Sequence, residues 1–317
     1  MTDGLLRESD SPKVSIVVPV YERTDLLADS LESIFDQSFE DWEAIVVADH
    51  RSAEGVKSLT GTYEDDRLRV IEDYSDGVSG ARNTGIDAAS GDFLAFLDSD
   101  DVWKPTKLER QLARFESGSD ELALVYTGFV HHELDGQQWE RYPEVSGELY
   151  LKQLEKDWIH PPSTVMVTKT ALEEVGEFDT DLPTREDYEL WIRVSEKFKI
   201  GYVDELLVTK REQSDSLSKD FTKRIEGDLA VYDEVRRRMI ELDLGIVARN
   251  RILAAHHLVI GRDYESHGDQ RKAVRHLIEA VLRYPLRFNA WAMLGIAILG
   301  IDRNGPFLTF VKKLLWT

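Results

Sequence analysis

The chain has 317 residues, 42% of them hydrophobic, which is enough for one large domain with an appendage or for two domains. Lys and Arg number 39 against 60 Asp and Glu, a formal charge of −21 spread through the whole sequence; such a field excludes nucleic acid as a partner, and a phosphate ligand has to be met locally by a cation or a few arginines. The absence of cysteine excludes disulfides and thiolate metal sites, and no uninterrupted apolar run reaches the ~20 residues of a bilayer span. Dispersed acidity is also the pattern of proteins working in molar salt, where screening shrinks to roughly 3 Å, so a halophilic source is expected.

Residues 1–12 carry no basic or apolar block and read as a flexible leader, not a signal peptide. VSIVVPVY, 14–21, is a β-branched run and the first central strand; apolar residues at Leu26, Leu27, Leu31, Ile34 and Phe35 then fall at helical spacing. WEAIVVADH, 42–50, is a second strand ending in an acid, Asp49, and 68–71 a short third. GARNTGIDAA, 80–89, opens with glycine and continues as a helix carrying Arg82, a residue that can neutralise ligand charge or hydrogen-bond a base, or sit in an ordinary ion pair. It leads into FLAFLDSDDVWKP, 93–105, an apolar strand that ends in Asp98, Ser99, Asp100 and Asp101.

Clustered carboxylates repel one another unless a cation or donors compensate them. The hard oxygens of Asp98 and Asp100 suit Mg²⁺ or Mn²⁺ on a diphosphate, the bland alternative being a solvated acidic turn. Strands alternating with helices predict an α/β fold with a mostly parallel sheet flanked by helices. Its strand ends put Tyr21, Glu22, Asp49 and the 98–101 cluster along one edge, where open α/β sheets place their sites.

Farther on, 122–130 is another strand, followed by a hairpin-like turn at Asp135 and Gly136 and by a proline-stiffened loop, HPPSTVMVTK, entering a strand. A short helix over 170–175 closes at Gly176. In TREDYELWIRVSEKF, 184–198, Thr184 is a candidate cap for a helix with Asp187 at its third position. Leu190, Trp191 and Val194 form the apolar face of that helix, which favours the core for Trp191. Glu186 and Asp187 lie in the first turn, where the helix dipole keeps carboxylates ionised, so an acid there is a candidate general base.

Together, VSIVVPVY, the acid after the second strand, GARNTG, FLDSDD and REDYELW keep an order and spacing that strongly resembles the family 2 glycosyltransferases of GT-A fold, over roughly residues 13–220. The resemblance implies inverting transfer of a sugar from a UDP- or GDP-type donor to an acceptor hydroxyl. It implies that Pro19, Tyr21, Glu22 and Asp49 line the nucleoside with Arg82 beside them, and that Asp98, facing the ribose or a metal-bound water, and Asp100 form the metal-binding DxD motif. It makes Asp187 the base, with Glu186 and Trp191 on the acceptor side. Two departures stand out: Ala48, Asp49 and His50 replace the usual two acids and glycine, and in KREQSDSLS, 210–218, Gln213 occupies the place of a frequent histidine. Arg211 and Ser216 remain as contacts for the loop that closes over the donor.

Residues 221–317 read as a helical appendage: an amphipathic helix over 225–242, then a hairpin over 252–295 that resembles a single tetratricopeptide unit. The end, AWAMLGIAILGI and GPFLTFVKKLLW, has the aromatic and basic flavour of an interfacial helix or of a helix docked on a core. A lipid-linked glycan acceptor at the inner, cytoplasmic face of the cell membrane is the corresponding expectation. Two other functions stay open on the residues alone, a sugar nucleotidyltransferase and a non-catalytic sugar-nucleotide-binding scaffold.

Overall fold

The computed structural model describes residues 11–21, 24–119, 121–213 and 220–299. These described residues divide into two compact units, the first within 11–150, 158–181 and 186–213, the second within 151–157, 182–185 and 220–299.

In the first unit β1 (Val14–Val20), β2 (Trp42–Asp49), β3 (Leu68–Asp73) and β4 (Phe93–Phe96) are all parallel, in the spatial order β3-β2-β1-β4. β1, β2 and β4 are buried on both faces, which is why the sequence shows near-continuous apolar runs instead of alternation, whereas the edge strand β3 is only partly covered. Side chains nevertheless segregate with the two-residue period of a strand. Ile16, Val18, Ala95 and Leu97 pack with Leu27, Leu31 and Ile34 of helix α1 (Leu27–Phe35). Val17, Leu94 and Phe96 pack on the other face, with Ala81 and Ile86 of α3 (Gly77–Ala88). α3 begins three residues before its expected start. Its Gly85 lies so close to β1 that a Cβ there would stand 2.3 Å from Val17 Cγ1, so only glycine lets the helix seat at this depth.

Beyond β4 the sheet becomes mixed. β8 (Met166–Thr168) runs antiparallel to both β4 and β6 (Leu122–His132), β9 (Lys199–Arg211) runs parallel to β6, and the two-residue β5 (Val102–Trp103) pairs antiparallel with β9 at the far edge. β7 (Gln138–Arg141) closes the hairpin on β6, with Gly136 at φ 85°. Helices α2 (Ala53–Thr60), α4 (Lys107–Glu116), α6 (Lys169–Val175) and α7 (Glu186–Lys197) complete the unit. α7 sinks Leu190, Trp191 and Val194 fully into the core, as their spacing predicts. β9 is the longest strand in the unit, and the sequence does not announce it.

The second unit is helical: α5 (Tyr150–Glu155), α8 (Phe221–Glu241), α9 (Ile246–Ser266), α10 (Gln270–Arg283) and α11 (Phe288–Leu299). α9 and α10 meet at Gly261, where a Cβ would come within 2.8 Å of Leu277 Cγ, and Leu258, Leu277, Ala280, Met293 and Ile296 form a small core. Glu155 accepts hydrogen bonds or ion pairs from Arg251 and Arg287. Thr184 is not a helix cap: its hydroxyl donates to the Lys223 carbonyl at 3.1 Å, because the chain turns through left-handed Arg185 (φ 69°) before α7 starts. Among the described residues no helix is long and apolar enough to cross a membrane.

Candidate active site

Because β1 to β4 are parallel, their C-terminal ends share one edge, and the polar residues that follow them meet there. Pro19 lies within buried β1, and Tyr21 just beyond it is 50% exposed, its ring beneath the Arg51 guanidinium, 4.5 Å from ring centroid to Cζ. Asp49, at the end of β2, is buried. Arg51 grips it with Nε to Oδ1 at 2.8 Å, Nη2 to Oδ2 at 2.9 Å and the backbone N–H to Oδ1 at 2.9 Å. These hydrogen bonds hold the Asp49 carboxyl down at about 2, despite burial. His50 stacks on Tyr74 at 5.3 Å. Asp73, the register partner of Asp49 on β3, accepts from Ser75 and, at 2.8 Å, from Thr84. A second acid therefore stands at this edge, supplied by the neighbouring strand and not by the end of β2. Glu22 lies outside the described residues.

The centre of the site is Arg82, 3% exposed although fully charged. One guanidinium nitrogen donates to Asp98 Oδ1 at 2.8 Å and the other to Glu186 Oε1 at 2.7 Å, while Phe178 packs 5.2 Å from Cζ. Burial works against this charge, but Asp98 and Glu186 outweigh it and hold Arg82 above its ordinary range, with Asp187 adding to the effect. Arg82 thus ties the first acid of the DSDD cluster to the first turn of α7. Glu186 is occupied by this bridge. Asp187 is half-buried beside it and accepts from the Tyr188 N–H at 2.8 Å. Trp191 is 0% exposed, between Phe96 and Phe178, so it supports α7 from the core and offers no surface to an acceptor.

The cluster itself is divided. Asp101 is buried, accepting from Ser163 Oγ at 2.6 Å and from the Arg211 N–H at 3.2 Å, and burial above all pushes its carboxyl up to about 7. It shapes the turn. Burial and the neighbouring Asp98 push Asp100 above the carboxylate range, in spite of Lys210. Two hard-oxygen side chains two residues apart, one of them destabilised as an anion by the other, form a donor set that fits a divalent cation. Among the described residues no group of three or more His, Cys, Asp or Glu side chains is arranged to hold a metal, so the remaining ligands would have to be waters or ligand phosphates.

β9 completes the site from the far side. Arg211 Nε donates to the Asp100 carbonyl at 2.5 Å and Nη1 to Asp29 at 2.5 Å. Burial opposes the charge on Lys210, but Asp101, Asp98, Asp100 and Asp187 outweigh it and hold its ammonium above the ordinary range. Arg51, Lys210 and Ser163 are the residues that sequence reasoning misses. A basic residue two positions after a strand-end acid is a signal for Arg51; Lys210 gives none unless β9 is first seen as a strand. Gln213 lies two residues beyond the end of β9, and Ser216 lies outside the described residues.

Residues 15–176 match the family model described as glycosyl transferase family 2. The chain belongs to that family. It is 32% identical over 231 residues to the putative teichuronic acid biosynthesis glycosyltransferase TuaG of Bacillus subtilis, covering 71% of this chain and 89% of that one. It is 37% identical over 105 residues to the Escherichia coli UDP-Glc:alpha-D-GlcNAc-diphosphoundecaprenol beta-1,3-glucosyltransferase WfgD, covering 33% of this chain and 41% of WfgD. Among solved structures, S. aureus TarS 1-349 in complex with UDP-GlcNAc superposes with a TM-score of 0.66 at 17% identity, covering 90% of this chain and 87% of that one. The mannosyltransferase PcManGT from Pyrobaculum calidifontis, in complex with GDP-Man and Mn2+, does so with 0.60 at 17% identity over 96% of this chain and 87% of that one. The fold is the GT-A fold and the protein is a glycosyltransferase.

Proposed function

We propose that this family 2 glycosyltransferase transfers a sugar from a nucleoside-diphosphate donor to an acceptor hydroxyl with inversion, in the biosynthesis of a glycan or glycolipid. One observation carries the reading: the Asp98–Arg82–Glu186 bridge, with bonds of 2.8 and 2.7 Å, brings the DSDD cluster and Asp187 into one charge network although 86 residues or more separate them in sequence. Tyr21, Asp49 and Arg51 form the nucleoside edge, and Asp98 and Asp100 the diphosphate edge. Mg²⁺ or Mn²⁺ held by Asp98 and Asp100 would offset the charge on the leaving diphosphate. Lys210 and Arg211 add fixed positive charge beside the same turn, and the Arg82 bridge holds Asp98 and the first turn of α7 in register. Asp187 takes the acceptor proton as the hydroxyl attacks the anomeric carbon, and a single displacement inverts that centre. Asp187→Asn abolishes transfer while leaving nucleotide binding intact; persistent transfer would remove Asp187 as the base.

The catalytic work is assigned to residues 13–220, and the helical region 221–317 to acceptor-side placement. Leu282, Leu286, Phe288, Trp291, Ile298 and Leu299 are exposed on α10, α11 and their link, which supports peripheral contact with a membrane carrying a lipid-linked acceptor at its inner face; residues 300–317 lie outside the described residues. Vesicle flotation of the full chain tests this, and recovery of all the protein in the unbound fraction would exclude it. The dispersed charge of −21 supports a high-salt working environment; a thermal midpoint that does not rise between 0.1 and about 2 M KCl would exclude that.

A further inference from the structure

The helical unit contains a cleft of about 460 Å³ whose walls are Tyr232 and Arg236 of α8, Leu253 and His257 of α9, and Arg275, His276, Glu279 and Arg283 of α10. In a chain with 21 more acids than bases, two helices, α8 and α10, here turn three guanidinium groups onto one space. Only Glu279 opposes them from the walls, paired with Arg283 at 3.3 Å, while Arg236 reaches the outlying Asp233 at 3.5 Å. Arg283 Nε is buried and meets no hydrogen-bond partner among the described residues.

The histidines add donors without adding charge. His257 Nδ1 lies 3.0 Å from His276 Nδ1, and its Nε2 lies 3.1 Å from the Tyr232 hydroxyl. Burial, then His276, Arg283, His256 and Arg236, push His257 down to about 3, and burial and Arg275 push His276 down against Glu279. Both rings are neutral at pH 7. The walls then carry three guanidiniums against one carboxylate, a surplus of two positive charges with no counterion among the lining residues.

We propose that this cleft binds a phosphate-bearing anion, a phosphate monoester or diphosphate whose oxygens are taken by Arg236, Arg275 and Arg283 and whose substituent lies against Tyr232 and Leu253. A phosphate monoester carries about −1.5 to −2 at pH 7, which matches the surplus, whereas one carboxylate leaves half of it unmet. Guanidinium forks bind phosphate oxygens in pairs, and the unmet Arg283 Nε is a donor of this kind. The volume lies in the range of small-ligand sites, roughly 300–1,000 Å³, and exceeds what a bare phosphate fills, so the ligand is an ester or a diphosphate. The phosphate is either free or part of a lipid headgroup.

The test uses the full chain labelled with ¹³C at histidine Cε1, with the His276 resonance assigned by its loss in His276→Gln. Titration with inorganic pyrophosphate in metal-free buffer moves the His257 and His276 resonances, and the Arg236→Gln/Arg275→Gln double variant weakens the apparent affinity at least tenfold. Both arginines are exposed, so the variant keeps its fold, and Arg283→Gln gives an independent loss from the buried side. A response only to vesicles containing phosphatidic acid, and lost in the same variants, assigns the phosphate to a lipid headgroup. Histidine resonances unmoved by either probe, or equal affinities in wild type and double variant, overturn the proposal.

Discussion

Arg82→Leu leaves Asp98 and Glu186 facing a neutral side chain in a site that admits little water, since their side chains are 24% and 11% exposed. Two hydrogen bonds to charged groups are lost, each worth about 1.5–3 kcal/mol, which brackets a cost of about 3–6 kcal/mol. Removing one partner of a buried ion pair gives about 3–5 kcal/mol by a separate route. The common range is about 3–5 kcal/mol, which in a unit of this size lowers the midpoint by roughly 6–20 °C at about 2–4 °C per kcal/mol. Arg82→Lys recovers less than half of the loss, because one ammonium cannot span both carboxylates in the planar geometry of the fork. Scanning calorimetry and urea unfolding followed by circular dichroism measure both variants. A loss below about 1 kcal/mol in Arg82→Leu, within the range of ordinary surface substitutions, or a Lys variant as stable as wild type, would refute the reasoning that the bridge holds the two halves of the site together.

Arg51→Ala releases Asp49, whose carboxyl sits at about 2 in the folded protein and near 3.9 unfolded. Its contribution is present above the unfolded value and is lost as pH falls through the folded one, so the stability gap between wild type and variant is full at pH 7 and closes between roughly pH 4 and 2; a gap that does not change with pH counts against this. Lys107 is fully buried with Gln111 Oε1 at 2.8 Å and the Trp103 ring at 3.9 Å, and burial pushes its amine well below the ordinary lysine range. Lys107→Met is therefore stabilising, with the advantage full at low pH and shrinking as pH rises toward about 10.5, where the unfolded lysine also loses its proton; a lower thermal midpoint in the variant contradicts it. Mn²⁺ raises the thermal midpoint of the wild type in the presence of UDP or GDP, and Asp100→Asn removes that increment; an equal increment in the variant rules Asp100 out as a ligand.

β1, β2 and β4 are legible in the sequence because they are short apolar runs buried on both faces, two of them closed by Asp49 or Asp98. α7 is legible because Leu190, Trp191 and Val194 keep helical spacing. β9 is hidden for the opposite reason: KIGYVDELLVTKR carries Asp204, Glu205, Lys210 and Arg211, its middle is exposed, and its pairing with β6 is interrupted by register shifts that blur any two-residue period. Missing β9 means missing Lys210 and the role of Arg211, since their place in the site depends on a strand partner about 80 residues away. Arg82 is visible as a candidate, but its partner Glu186 lies 104 residues on, and no local pattern shows that both of its forks are already committed.

The short connection between β4 and β5 constrains the sheet as a whole. β4 and β5 are four places apart in the strand order, so a flat sheet would separate them by about 19 Å. Six residue steps from Phe96 to Val102 reach at most about 20 Å when extended, and the turn closed by the Asp101 N–H on the Asp98 carbonyl at 2.9 Å shortens that reach to roughly 17 Å. The acidic turn is therefore a drawstring: the sheet bends because this tether is too short to cross it flat. One deleted residue between Leu97 and Asp101 would tighten the curl of every strand from β4 to β5, and an inserted one would slacken it.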